Sequence, residues 1–220
     1  LALLSLMVSY FIAIPLGVYS AVRQYSKVDR TLTVLLFMLY SLPSFWVAML
    51  LQQYLCGVDV NGLNLFPLVG LTSIEFANMS FPEQVKDITW HLVLPIGVLT
   101  YRSLASLSRF QRVGMLDVIR QDYIRTARAK GLPERVVVLK HALRNSILPI
   151  VTLIGMHLPS LVGGAVIVES IFQINGMGLE TLEAIRTRDM NWIMASVTLT
   201  AVMTMGGILL SDLLYAVVDP

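Results

Sequence analysis

Residues 121–146 read QDYIRTARAKGLPERVVVLKHALRNS. The stretch carries six cations, Arg125, Arg128, Lys130, Arg135, Lys140 and Arg144, with Arg112 and Arg120 just upstream. Long apolar runs lie on both sides of it. Its local signals are helical. Asp117 and Asp122 stand near a helix start, where a carboxylate suits the positive end of the helix dipole. Residues 125–130 are mostly good helix formers. Gly131 takes the place of the residue that follows a helix, and Pro133 cannot continue that helix but suits the first turn of another. The expectation is a helix, a sharp Gly-Leu-Pro corner and a second helix. Tyr123, Ala127 and Leu132 are expected to form an apolar ridge among the cations, a feature that docks into a protein groove.

Outward from this block the chain is apolar. Of its 220 residues, 56% are hydrophobic and 14% charged, against about 25% charged in soluble domains. The mean hydropathy is +0.73. A soluble domain would need a charged surface that this composition does not supply. Residues 1–22, 31–58, 145–168 and 190–211 contain no charged side chain, and about 20 apolar residues cross a hydrocarbon core. A fifth, shorter apolar heart, WHLVLPIGVLTY, lies between Ile88 and Gln111, a segment that also holds Arg102 and Arg109. The expected fold is all-α: a polytopic membrane helical bundle, one domain over 1–220. Its expected spans are 1–22, 31–56, 88–111, 146–171 and 190–217, with a two-helix loop at 112–145. Pro15, Pro43, Pro95, Pro149 and Pro159 fall in or beside the spans, where neighbouring helices can re-satisfy freed carbonyls. Gly163-Gly164 and Gly206-Gly207 suit close helix approach. The single cysteine, Cys56, reads as a small buried hydrophobe.

The Lys and Arg residues alternate between the connections. Residues 22–30 hold three, 57–87 one, 102–144 ten and 172–189 two. The single-cation loop also carries Asp59, Glu75, Glu83 and Asp87. By the positive-inside rule the richer side is cytoplasmic. Leu1 is then expected outside and Pro220 inside. The chain starts in an apolar run without an initiator Met, and the expectation is a trimmed chain lacking one upstream span.

Taken by itself, the basic block fits a plain topology signal, a binder of anionic lipid headgroups or a nucleic-acid binder. Its two-helix geometry is more structure than a topology signal needs. The residues MLDVIRQDYIRTARAKGL and HALRNSILP closely resemble the cytoplasmic signature of the inner-membrane permeases of binding-protein-dependent ABC importers, in the dipeptide, oligopeptide and nickel branch. IPLGVYSAV, HLVLP, VESIFQINGMG and DLLYAVVDP extend the resemblance along nearly the whole chain. The broad superfamily motif begins Glu-Ala-Ala with Gly six positions on. Here Arg125-Thr126-Ala127 stand in those places with Gly131 retained, and His141-Ala142-Leu143-Arg144 replace the later Ile-x-Leu-Pro, as in the peptide and nickel branch.

The resemblance implies a permease subunit without catalytic residues or cofactor, in the plasma membrane of a bacterium or archaeon. Its loop would seat in a groove on a separate ABC ATPase subunit. The residues implied in that coupling are Asp122, Tyr123, Arg125, Thr126, Ala127, Arg128, Lys130, Gly131, Leu132, Pro133, Glu134, His141 and Arg144. Further implied partners are a second similar permease, or another copy of this chain, an extracytoplasmic solute-binding protein and membrane lipids, but no nucleic acid. The cargo is a peptide or nickel. No G-x-x-x-x-G-K-[ST] occurs, so ATP is expected to be bound elsewhere. The competing function is a stand-alone secondary transporter or channel, which normally shows more spans or an internal repeat.

Other constellations are sparse. His91, His141 and His157 lie far apart in sequence and suggest no metal site; His157 reads as a packed polar residue. Intramembrane charges are functional candidates, and here they are Arg102, Arg109, Glu169 and Asp212. Glu169 is expected either to face a translocation path or to reach the interface. Asp212 is expected to pair with Arg109, or failing that with Arg102. Gly176 and Gly178 suggest a turn in an outer loop, and Tyr54, Trp90 and Trp192 suggest interfacial anchors.

Overall fold

The structure, a computed structural model, describes residues 1–57 and 62–218. Asp59 of the expected outer loop and the terminal Pro220 lie outside the described residues. Among those described there is no strand. The longer helices are α1 (Ala2–Val22), α2 (Lys27–Ser41), α3 (Ser44–Leu55) and α4 (Phe81–Ile119). Then come α5 (Asp122–Ala129), α6 (Glu134–Val136), a π-helical turn (Val137–Ala142) and α7 (Leu143–Ser146). The chain continues through α8 (Leu148–Gly163), α9 (Val166–Ile171), α10 (Met177–Thr187) and α11 (Met190–Val218).

Local chemistry sets the boundaries. Ser26 Oγ accepts the Asp29 N–H at 3.1 Å and caps α2. Glu83 reaches back to Ser80 at the start of α4: the Ser80 N–H and hydroxyl both donate to Glu83 Oε2, at 2.8 and 2.7 Å. Asp189 Oδ1 accepts the N–H groups of Asn191 and Trp192 where α11 begins.

Three segments are long and apolar enough to cross a membrane: Ala2–Val22, Leu148–Ile171 and Met190–Ala216. A fourth arises if α2 and α3 are one broken span. The segment expected as a single span over 31–56 therefore has a different shape. It bends by 95° at a break where Pro43, with φ −62° and ψ 132°, caps α3; proline restricts the residue before it to extended backbone. The fifth expected span, over 88–111, is the middle of α4, which runs on to Ile119. Its apolar heart is short and diluted by His91, Tyr101 and Arg102. The two-helix loop consequently starts about two turns later than the expected residue 112. The outer loop expected over 172–189 contains a helix, α10.

The chain forms two compact units. One comprises Leu1–Leu6, Ser41–Arg102 and Ser160–Thr200. Its core gathers Ala48, Cys56, Leu94, Val98, Val168, Phe172 and Ile174, with the Cys56 thiol against the Pro67 carbonyl at 3.3 Å. Trp90 stacks on Phe66 with ring centres 4.7 Å apart and donates its indole N–H to the Leu65 carbonyl. It is thus fastened to the connection between α3 and α4 as well as half exposed.

The other unit comprises Met7–Tyr40, Ser103–Pro159 and residues 201–218. Glycines bring its helices together. A Cβ on Gly17 would lie 2.6 Å from the Ser108 carbonyl oxygen of α4, and one on Gly155 would lie 2.2 Å from the Gly207 oxygen of α11. Of the two glycine pairs, close approach thus belongs to Gly207 here and to Gly164 in the first unit, whereas Gly206 and Gly163 meet nothing within 4 Å.

Candidate functional site

The basic block folds into a corner with a defined internal structure. α5 begins at Asp122 and ends in a Schellman motif: the Leu132 N–H donates to the Ala127 carbonyl and the Gly131 N–H to that of Arg128, at 3.4 and 2.9 Å. This motif needs left-handed backbone after the helix, and Gly131 supplies it with φ +76°. Pro133 then caps α6 with extended backbone. From Glu134 the chain is helical through the π turn to Ser146.

The corner is tied on its outside and anchored on its inside. Arg128 and Glu134 form a two-pronged ion pair across it, Nε to Oε2 at 3.0 Å and Nη2 to Oε1 at 2.7 Å. That hydrogen bonding holds the Glu134 carboxyl below the usual carboxylate range and raises Arg128. Arg125 pairs loosely with Asp122 at 3.4 Å, and Thr126 Oγ1 donates to the Asp122 carbonyl. Asn145 donates to the Tyr123 hydroxyl at 2.8 Å and fastens α5 to α7. Beneath, Ile124, Ala127, Val137, Val138 and Ala142 are buried against Val18 and Ala21 of α1 and Met115 of α4.

The expected ridge needs one correction. Ala127 is only 8% exposed and faces this core, so of the expected ridge only Tyr123 and Leu132 face outward, with Leu139 of the π turn exposed as well. Lys130, Gly131, Pro133 and Arg144 are exposed with them, and His141 is half buried in the π turn. The arrangement can present apolar groups amid cations at fixed spacing.

A second tie supports the same unit and was not anticipated. Asp29, buried at 2% exposure, accepts from Arg112 Nη2 at 2.9 Å and from the Tyr25 N–H at 2.9 Å. Its other oxygen accepts the Ser20 hydroxyl. One carboxylate thus joins the end of α1, the following turn, α2 and α4. Removing one partner of a buried pair is destabilising by about 3–5 kcal/mol. The sequence signal was a lone acid in the basic connection RQYSKVDR; its partner lies 83 residues away.

The intramembrane charges separate into different roles. Glu169 follows neither expectation: it is 3% exposed and turned onto its own backbone. Oε1 accepts the Ala165 N–H and Oε2 the Leu179 N–H, both at 2.8 Å, joining α9 to α10. Gly176 and Gly178 do more than turn the chain. A Cβ on either would come within 3 Å of the Glu169 carboxylate, at 2.4 and 2.9 Å. Arg109 and Asp212 do not form the expected pair. Both are exposed; Arg109 lies over the Phe37 ring, 5.6 Å from its centre. Arg102 is exposed as well, with no ion pair to Asp212. Each histidine has its own surroundings: His91 Nδ1 contacts the Asp87 carbonyl at 2.9 Å, and His157 meets Tyr10 edge-on.

Comparison with known proteins points one way. Residues 13–220 match the family described as the binding-protein-dependent transport system inner membrane component. The oligopeptide transport system permease protein AppB of Bacillus subtilis (strain 168) is 43% identical over 220 residues, covering 100% of this chain and 67% of that protein. The oligopeptide transport system permease protein OppB of Mycobacterium tuberculosis (strain ATCC 25618 / H37Rv) is 43% identical over 210 residues, covering 93% and 63%. The dipeptide transport system permease protein DppB of Escherichia coli (strain K12) is 38% identical over 221 residues, covering 95% and 65%. The chain spans about two thirds of the length of the curated relatives it matches.

Proposed function

The chain belongs to the family of binding-protein-dependent transport system inner membrane components, and from that premise we propose that it is the permease subunit of an ATP-driven importer of peptides. Peptide cargo is favoured over nickel by the names of its relatives, which are oligopeptide and dipeptide permeases. The family description, a component of a binding-protein-dependent system, argues against a stand-alone carrier or channel.

The observation that carries the reading is the corner at Gly131. It is rigid within, basic without, and exposes Tyr123 and Leu132 beside an Arg128–Glu134 clamp. In our account these groups seat in a groove on a separate ATPase subunit, and closure of two such subunits on ATP moves the corner with the helices anchored beneath it. The excess of cations in the Arg102–Arg144 segment supports a cytoplasmic corner. The 57–87 and 172–189 segments then face outside, where a solute-binding protein delivers cargo. A second permease, similar or identical, completes the path. The middle of α4 and the bent α2–α3 pair complete the five spans of this scheme.

The test uses the intact transporter. Gly131→Val places a β-branched residue in left-handed backbone, a strain of about 1–3 kcal/mol, with nothing within 4 Å for its Cβ to strike. Membrane insertion is expected to persist while ATPase copurification and peptide uptake are lost. Gly131→Asn, which tolerates this backbone, is expected to retain both. Normal uptake by the valine variant contradicts the assignment.

A further inference from the structure

We propose that the crevice between α1, α2 and α4 is a binding site for one anionic phospholipid. This rests on the orientation proposed above. The crevice has a volume of about 180 Å³ and is predominantly apolar, with Leu16, Leu32, Leu36 and Phe37 in its wall. Two cations also line it, Arg109 and Arg112. Such a combination recognises an amphiphile, a chain for the wall and an anion for the cations.

The two arginines are not equivalent. Arg112 is held by Asp29, which neutralises most of its charge, but its Nε is buried and has no hydrogen-bond partner among the described residues. An unmade bond to a buried charged donor is unfavourable, and an anionic oxygen entering the crevice would relieve it. Arg109 has no carboxylate partner among the described residues; it rests over Phe37 and is exposed. Arg30 is not a lining residue; it is exposed and precedes Thr33 and Phe37 by three and seven positions on α2, hence on the same helix face. Basic pockets between membrane helices on the cytoplasmic side bind anionic headgroups. The two lining cations, the unpartnered Arg112 Nε and the apolar wall therefore point to a phosphate at Arg109 and Arg112 with an acyl chain beside Leu36 and Phe37.

The site is tested on the whole transporter in nanodiscs containing equal parts phosphatidylglycerol and phosphatidylcholine. Lipid retained after mild delipidation is weighed by native mass spectrometry. The parent is expected to keep phosphatidylglycerol. Arg109→Gln and Leu36→Trp, one removing the charge and the other filling the wall, are expected to lower its retention about tenfold, the equivalent of one charge-assisted contact. Arg102→Gln, outside the crevice, is expected to match the parent. A photoreactive phenylalanine in place of Phe37 should crosslink to lipid. Equal retention in all variants overturns the proposal. So does crosslinking to another protein segment, or displacement of the lipid by an oligopeptide. Peptide uptake is measured in parallel: phosphatidylglycerol retention without uptake in the parent contradicts the transport reading and leaves the lipid site standing.

Discussion

Gly131 and Gly164 both follow helices in left-handed backbone, at φ +76° and +69°, and a glutamate bridges each break. There the likeness ends. A Cβ on Gly131 meets nothing within 4 Å, whereas one on Gly164 would lie 2.2 Å from the Gly178 nitrogen. Glu134 is half exposed and paired with an exposed arginine. Glu169 is buried and its charge is met by two backbone N–H groups. The first break holds its shape by hydrogen bonds inside the corner and leaves its outside exposed. The second is filled, and its glutamate is the filling. The same backbone device thus leaves one break open and fills the other.

The largest effect should come from the filled break. Glu169→Ala leaves the Ala165 and Leu179 N–H groups without their acceptor, at about 1–3 kcal/mol each. Thermal unfolding of the purified transporter should show a clear drop in midpoint, with Glu169→Gln intermediate because one carbonyl oxygen remains. An unchanged midpoint for the alanine variant would place the two breaks in one class. Gly131→Val is the middle case, a local strain whose loss is read in ATPase capture and scarcely in global unfolding.

The smallest effect belongs to the Arg128–Glu134 pair. Glu134 has a depressed folded-state pKa. Its contribution is therefore complete above the unfolded value of about 4.3 and is lost as pH falls through the folded value. Exposure limits the pair to about 1 kcal/mol or less, and salt weakens it further. Hydrogen exchange at the Gly131 and Leu132 amides should quicken by no more than about fivefold in high salt at neutral pH. Acid below the depressed value should likewise lower protection at these amides, measured against the unstructured-chain exchange rate at the same pH. Faster, global opening would mean that the pair, rather than the Schellman motif and the core beneath, holds the corner.

These differences also explain what the sequence could convey. The corner was legible because its determinants are local: Gly131 and Pro133 punctuate a run of good helix formers within a few residues. The apolar helices were legible from length and lack of charge. The 95° bend was marked by Pro43, but Pro15, Pro95 and Pro159 lie inside helices, so proline alone does not separate a kink from a break. Glu169 and Asp29 were misread or missed because their partners are backbone groups or distant side chains. A lone carboxylate in an apolar run looks the same whether it faces a path, the interface or its own chain. The exposed Arg109 and Asp212 failed as a pair for the complementary reason: similar depth along two helices does not fix which faces meet. In α10, the glycines of NGMG looked like a turn, although the following LETLEAIR has good helix formers; the turn and the helix start share residues.

The central claim is that the open side of the corner is occupied by an ATPase subunit. Site-specific crosslinking tests it most directly. In the assembled transporter, Leu132→Cys carrying a short thiol-reactive crosslinker is expected to capture the ATPase subunit, and to do so more strongly in the presence of a nonhydrolysable ATP analogue. A cysteine replacing exposed Ile167 of α9 is expected to capture none. Capture only of lipid from position 132, with the ATPase subunit present and active in the same preparation, would contradict the account.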